Sequence, residues 1–184
     1  MTTPPPALDA AAITFRPLGT ADLPLLDRWL RNPAVARWWD VPADYAAVVA
    51  KYTPRIEGRS PTRPFLILHD GTPVGYIQTH RPAAYPNYAA AIGAGPDAAS
   101  VDVFIGEDSH RWRGVGPRAI RAFLRAVVFA DPAVAHCLID PHPDNVVALR
   151  AYERAGFRRL RHIADDGSGN PCVVLRIERA AVLP

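Results

Sequence analysis

RWRGVG at residues 111–116 precedes one amphipathic helix of this chain, and DPHPDN at residues 140–145 precedes another. After the first stretch, apolar residues recur three, four, seven and eight positions apart, which predicts a helix of about four turns. Gly114 and Gly116 let the main chain approach a ligand closely, and free amides at a helix start attract phosphate. The stretch therefore predicts a phosphate-binding helix start. The alternative is a strand-to-helix turn in which the glycines only relieve crowding.

These glycines do not fit two other phosphate-binding motifs. A dinucleotide fingerprint needs a third glycine and an acidic residue about 20 positions further on, within the first unit of a repeated parallel fold. The glycines here lie past the middle of the chain. A nucleoside triphosphate loop needs a Gly-Lys-Ser/Thr sequence, and none follows. We therefore exclude both classes of nucleotide site.

The second stretch lies between a predicted strand at residues 135–139 and a predicted helix at residues 145–155. Apolar residues and Tyr152 share one side of that helix, and Gly156 is placed to end it. The ring of Tyr152 can pack inward while its hydroxyl reaches a polar site. The alternative interpretation is a core tyrosine whose hydroxyl is satisfied by its neighbours.

Together, these segments resemble the GNAT N-acetyltransferase superfamily. The resemblance rests on residues 111–116 and on the runs IDPHPDN at 139–145 and ALRAYERAGF at 148–157. Within that superfamily, VDVFIGE at 101–107 and the paired tryptophans Trp38 and Trp39 resemble the aminoglycoside 6'-N-acetyltransferases. The resemblance covers most of residues 13–178 and is strongest from 101 to 157.

The order of predicted strands and helices is that of an α/β domain, with no internal repeat and no linker. The resemblance implies a single GNAT-type domain at residues 13–184, with a mixed, splayed central sheet flanked by helices. Residues 1–12 are rich in Pro and Ala and are expected to be a flexible tail.

The resemblance implies acetyl-coenzyme A as co-substrate and no metal. The cofactor-binding residues it implies are Arg111, Arg113, Gly114, Val115, Gly116, Pro117 and Asn145. The main-chain amides of Val115 and Gly116 would hold phosphate, and Asn145 would contact the pantetheine arm. Tyr152 would protonate the departing thiolate, and Asp102 and Asp140 would hold the acceptor amine.

Further acceptor-binding residues are expected on either side of this region. Trp38 and Trp39 are assigned to a short helix, where adjacent side chains point in different directions, so one is free to stack on a sugar ring. Tyr76 and Gln78 belong to a predicted hairpin around Asp70-Gly71 and are expected to line the acceptor side. Residues 43–64 could form a substrate flap, and residues 81–96 lack periodicity and are expected to be a mobile loop.

Asp102 lies in the apolar run at residues 101–105, where alternation places it opposite the two flanking valines. An ordinary aspartate is too weak a base to take a proton directly from a sugar ammonium. We therefore expect Asp102 to orient the amine, with a relay water. The alternative is an exposed strand residue without a catalytic role.

The charge of the chain fits the cofactor better than the acceptor. The net charge is +3 and the pI about 9.1, and the arginines are scattered rather than gathered into a nucleic-acid-binding stripe. A polycationic antibiotic should prefer a site lined with carboxylates. The stretch 88–99 holds only Asp97, and Val103 stands where the resemblance predicts Gln. Both departures weaken the prediction of the acceptor more than that of the reaction.

The leading hypothesis is transfer of an acetyl group from acetyl-coenzyme A to the 6'-amine of an aminoglycoside, conferring resistance. One alternative is acylation of a lysine or hydroxylysine in siderophore biosynthesis, although that branch tends to have His where this chain has Asp102. Another is a noncatalytic coenzyme A-binding sensor. No signal peptide or membrane span is evident, so we expect a cytoplasmic monomer or homodimer without nucleic-acid or membrane partners.

Overall fold

A computed structural model describes residues 13–165 and 169–183 of the chain. The predicted tail at residues 1–12 lies outside the described residues. The described part forms one seven-stranded sheet with helices on both faces. This confirms the predicted α/β fold class.

The strands and helices follow the order of an α/β domain, with one helix between the third and fourth strands that was not predicted. The strands are β1 (Ile13–Pro17), β2 (Arg63–His69), β3 (Thr72–His80), β4 (Ala98–Ile105), β5 (His136–Ile139), β6 (Arg158–Ile163) and β7 (Cys172–Glu178). The helices are α1 (Leu23–Leu30), α2 (Pro33–Ala36), α3 (Tyr45–Ile56), α4 (Pro86–Ile92), α5 (Val115–Phe123) and α6 (Val146–Ala155). The last turn of α5 continues as a π-helical segment over Leu124–Val128.

The sheet is mixed, with the strand order β1-β2-β3-β4-β5-β7-β6. Only β4 and β5 run parallel, and they pair only where Ala98–Ser100 faces His136–Leu138. Strand β4 then continues to Ile105, whereas β5 ends at Ile139. Because the two strands part beyond this short ladder, the second half of β4 has one open edge. This is the splay that the resemblance implies.

Both faces of the sheet are covered, which explains why its central strands are buried on both sides. On β3, Tyr76 packs into the cluster that contains Trp29 and Tyr52 of α1 and α3. The next residue, Ile77, packs into the opposite cluster, which contains Phe123 of α5. Successive strand residues point to opposite faces, so one strand contributes to two cores.

Local turn and cap signals account for several element boundaries. Asp70 and Gly71 have φ angles of 49° and 75°, as a tight hairpin between β2 and β3 requires. The Oδ1 atom of Asn145 accepts a hydrogen bond from the Ala148 amide at 3.1 Å, which caps the start of α6. Gly156, with φ 105°, ends that helix.

Two predictions of local structure were wrong. Residues 86–92 form α4 rather than a loop, because Pro86 suits the first turn, alanines favour a helix, and Ile92 buries its side chain beneath β4 and β5. Trp38 and Trp39 follow α2 in a turn and are not part of a helix. No helix in the described ranges is long and apolar enough to cross a membrane.

Gly75 of β3 provides a test of the packing between β3 and β4. A Cβ atom at this position would lie 2.5 Å from the main-chain oxygen of Phe104, and a strand backbone cannot yield without breaking its ladder. We expect Gly75→Ala to lower the free energy of unfolding by about 1–3 kcal/mol, measured by urea denaturation. Gly19→Ala is the control, since its nearest new contact would be an ordinary 3.5 Å. Equal effects of the two substitutions would contradict this packing.

Candidate active site

A cleft of about 1370 Å³ opens where β4 and β5 part. Its walls come from the turn after α2, from α3, β3 and β4, and from the starts of α5 and α6. The cleft brings most of the predicted site residues together. Those that line it are Trp38, Trp39, Gln78, Asp102, Arg111, Gly114, Gly116, Pro117, Asp140, Asn145 and Tyr152.

The α5 end of the cleft is a helix start without a side-chain cap. Gly114 occupies the cap position with φ 76°, a conformation that favours glycine. A Cβ atom at Gly114 or Gly116 would meet nothing within 4 Å, so the main chain here faces open space. The first amides of a helix have no intrahelical acceptor. This end can therefore bind an anion such as a diphosphate through its main chain.

The two arginines of this loop occupy different environments. Arg111 donates from Nε to the Ile105 oxygen at 3.1 Å and also to the Gly106 oxygen and the Asp108 carboxylate. Its guanidinium therefore shapes the loop itself. Arg113 is exposed and is not part of the cleft wall. Val115 buries its side chain in the core, so only its amide can face a ligand.

Tyr152 lies on the α6 side of the cleft and is 7% exposed. Burial raises the pKa of its hydroxyl, and the charges of Asp102 and Asp140 raise that pKa further. The hydroxyl therefore keeps its proton at physiological pH, as a general acid must before transfer. Asn145 uses its side-chain oxygen to cap α6, so only its NH2 group can donate toward the cleft.

On the β3–β4 side, a chain of hydrogen bonds holds Asp102. The Nε2 atom of Gln78 donates to Asp102 Oδ2 at 2.8 Å. The Oε1 atom of Gln78 accepts from the Tyr76 hydroxyl at 2.6 Å and from Arg55 at 2.9 Å. With two donors on Oε1, the NH2 group of Gln78 must point toward the carboxylate. Asp102 is thus a half-buried carboxylate with a defined orientation.

The structure corrects the predicted position of Tyr76. Its side chain is fully buried, stacks on Phe104 with ring centroids 5.4 Å apart, and does not reach the cleft surface. Alternation along β3 places Tyr76 and Gln78 on one face, but α3 covers the first of them. Tyr76 therefore acts on the cleft only through Gln78.

The two tryptophans occupy different environments, as expected for adjacent residues. Trp39 packs edge-on against Phe104, with centroids 4.9 Å apart, and donates from Nε1 to the Tyr52 hydroxyl at 3.1 Å. Trp38 lies at the rim against His142, with centroids 5.8 Å apart, and Arg37 lies over its ring. Both tryptophans are partly buried and line the cleft.

Sequence reasoning missed Tyr88 and Arg55. The Tyr88 hydroxyl donates to Asp140 Oδ1 at 2.8 Å and lies 3.2 Å from the Ser100 hydroxyl. Burial and the two nearby carboxylates raise the pKa of Tyr88, so it remains a donor. The pattern YPNYAAAI at residues 85–92 could have identified a helix carrying Tyr88. Arg55 lies one helical turn from Tyr52, which would have placed the two side chains on one face of α3.

The fold and the cleft together are those of an acyltransferase. A splayed α/β sheet carries an anion-binding helix start, the buried and protonated hydroxyl of Tyr152, and the carboxylate of Asp102 held by Gln78. The protein-family model of the acetyltransferase (GNAT) domain matches residues 19–164 of this chain. The chain belongs to this family and is an acetyl-coenzyme A-dependent N-acetyltransferase.

Two relatives match the chain over different lengths. Aminoglycoside N(6')-acetyltransferase type 1 of Klebsiella pneumoniae is 28% identical over 160 residues, which cover 80% of this chain and 75% of that protein. A kanamycin resistance protein of Rhizobium radiobacter is 36% identical over 64 residues, which cover 35% of this chain and 58% of that protein.

Solved structures agree with this family assignment. Aminoglycoside acetyltransferase AAC(6')-Ib in complex with coenzyme A and kanamycin superposes with a TM-score of 0.78 at 28% identity, covering 92% of this chain and 96% of that one. Spermidine N-acetyltransferase from Vibrio cholerae superposes with a TM-score of 0.72 at 17% identity, covering 95% and 99%. The second match supports the fold alone.

The open space at Gly116 leads to a prediction about cofactor affinity. We expect Gly116→Ala to weaken coenzyme A binding at least tenfold, because the new methyl group would fill room that the diphosphate needs (a loss of about 1.4 kcal/mol). Stability should not fall, since alanine is favoured over glycine in a helix. Isothermal titration calorimetry and urea denaturation would measure the two effects.

Gly58 is the matched control, because its φ of 72° makes alanine strained there although it lies outside the cleft wall. Gly58→Ala should lower stability by about 1–2 kcal/mol and leave coenzyme A affinity unchanged. Unaltered affinity in Gly116→Ala would mean that the cofactor does not approach this helix start.

Proposed function

We propose that this protein transfers the acetyl group of acetyl-coenzyme A to a primary amine of an aminoglycoside, the 6'-amine, and thereby confers resistance. One observation carries the proposal: a single cleft combines an uncapped helix start, the protonated hydroxyl of Tyr152 and the carboxylate of Asp102 held by Gln78. The aminoglycoside 6'-acetyltransferases among its relatives support the choice of acceptor.

The cofactor would lie along the parted strands. The amides of Val115 and Gly116 would bind its diphosphate, and Gly114 and Pro117 would shape that loop. The NH2 group of Asn145 would donate to the pantetheine arm. Arg111 would contribute by holding the loop, since its guanidinium already bonds three loop acceptors. Acetyl-coenzyme A supplies the acyl thioester. The protein positions the thioester and the amine next to each other, and this positioning makes the largest contribution to lowering the activation barrier.

The acceptor amine would lie between Asp102 and Asp140. Asp102 would accept hydrogen bonds from the ammonium form and keep the nitrogen aimed at the thioester after its proton has left. A carboxylate is a weak base, so the ammonium would lose its first proton to solvent in an equilibrium before transfer, through a relay water, and Asp102 would orient the resulting neutral amine. Trp38 would stack on the sugar ring, while Trp39 and Tyr76 would support the wall of the cleft.

Tyr152 would act as the general acid. The new bond joins the amine nitrogen to the acetyl carbon, the carbon–sulfur bond breaks, and the hydroxyl of Tyr152 donates its proton to the sulfur. The hydroxyl meets the first requirement of this role, because it carries its proton before transfer. The nitrogen loses two protons in all, one from the ammonium before attack and one as the amide forms. One of these restores Tyr152 by way of solvent, and the other is released.

We further propose that residues 13–184 form one catalytic domain that acts in the cytoplasm, where acetyl-coenzyme A is available. The test of the function is thiol release from acetyl-coenzyme A with kanamycin as acceptor, followed by NMR of the product. Release of thiol and acetylation at the 6'-nitrogen are expected. Release with a lysine derivative but with no aminoglycoside would contradict the proposed acceptor, and binding without turnover on a broad amine panel would contradict catalysis.

Replacing Tyr152 tests the general acid. Tyr152→Phe should lower kcat about 100-fold while the KM for acetyl-coenzyme A changes little, because the lost hydroxyl acts in the transition state. Steady-state kinetics would measure both constants. Tyr45→Phe, at a position 44% exposed, should leave both unchanged. A Tyr152→Phe enzyme with wild-type kcat would make this residue a core tyrosine only.

Replacing Asp102 tests the amine site. Asp102→Asn keeps the shape of the side chain but removes its charge, so kcat/KM for kanamycin should fall at least tenfold, by about 1.4 kcal/mol. Asp70→Asn is the control, because Asp70 lies in the hairpin turn, where asparagine is equally suitable. If Asp102→Asn and Asp70→Asn both retain wild-type kcat/KM, Asp102 is an ordinary strand residue.

A further inference from the structure

Arg55 is a cation at the acceptor side of the cleft that the proposed reaction does not use. It lies on α3, lines the cleft and donates to Gln78 Oε1 at 2.9 Å. Its guanidinium lies over the ring of Tyr52, 5.0 Å from the centroid. Within the described ranges, no carboxylate lies within ion-pair distance of Arg55. Its charge therefore faces the cleft without a neutralising partner of its own.

Charges of both signs lie near Arg55. Asp40 is 92% exposed and pairs with Lys51 at 2.7 Å, so those two charges cancel locally. Asp102 and Arg55 lie on either side of the Gln78 amide, which donates to the first and accepts from the second. Arg37 adds a further positive charge above Trp38. The acceptor side thus combines two carboxylates suited to an amine with cations suited to repel additional ammonium groups.

We propose that Arg55 is a specificity-determining residue that discriminates against acceptors with an extra ammonium group near the reacting amine. The inference rests on the proposed function and defines its range: the cleft takes weakly cationic aminoglycosides in preference to strongly cationic ones. Like charges in a partly desolvated cleft repel over roughly the Debye length of about 8 Å. A cation fixed beside the amine site therefore acts on every substituent of the sugar ring that carries this amine.

Arg55 also orients Gln78, and this positioning role must be separated from its charge. Arg55→Lys keeps a positive charge and a donor that can reach Gln78. Arg55→Gln removes the charge and keeps a neutral donor. A role that is only structural would affect all acceptors alike, whereas a charge effect depends on the charge of the acceptor and on ionic strength.

Kanamycin A and kanamycin B form a matched pair of acceptors. Kanamycin B carries an amino group where kanamycin A has a hydroxyl, on the ring that bears the 6'-amine. We expect wild-type kcat/KM to favour kanamycin A. In Arg55→Gln the preference should shift toward kanamycin B about three- to tenfold, mostly through KM, and added salt should reduce the shift. Arg55→Lys should retain the wild-type preference.

Arg63→Gln is the control for loss of one positive charge, because Arg63 is exposed at the start of β2, lies over Phe65 and is outside the cleft wall. It should not change the preference between the kanamycins. An unchanged preference in Arg55→Gln, an equal shift in Arg55→Lys, or a shift independent of salt would overturn the inference. Turnover of neither kanamycin by the wild-type enzyme would instead overturn the proposed function on which it rests.

Discussion

The separation of β4 from β5 beyond Ser100 and Leu138 is the constraint on which the rest of the structure depends. A sheet interior has no room for a ligand, because neighbouring strands lie about 4.8 Å apart. Once the ladder ends, β4 offers an open edge, and the starts of α5 and α6 face the gap. The cleft therefore exists because the pairing of β4 with β5 stops early. The residues around the cleft supply the main-chain amides, the hydroxyl and the carboxylate.

The two halves of the cleft are built in different ways. The cofactor half depends on main-chain features, namely an uncapped helix start and glycines with open space around them. The acceptor half depends on side chains linked across elements, such as the contact of Arg55 with Gln78 and of Gln78 with Asp102. Main-chain sites tolerate changes in surrounding side chains, whereas a side-chain network changes with each residue. We therefore propose that the cofactor half determines the reaction and that the acceptor half determines the choice of substrate.

Local features of the fold could be predicted from the sequence because their causes are local. The hairpin at Asp70-Gly71, the start of α5 after Gly114 and the end of α6 at Gly156 each follow from the conformation of one or two residues. The contacts of Tyr88 with Asp140 and of Arg55 with Gln78 could not be predicted in this way, because they join residues far apart in sequence. The depth of Tyr76 likewise depends on how α3 packs, which strand alternation alone does not determine.

A crystal structure of the protein with coenzyme A and kanamycin would test the central claim most directly. The account predicts the diphosphate within hydrogen-bond distance of the Val115 and Gly116 amides, the sulfur beside the Tyr152 hydroxyl and the 6'-nitrogen beside Asp102. A cofactor bound away from the gap between β4 and β5, or a sulfur remote from Tyr152, would contradict it.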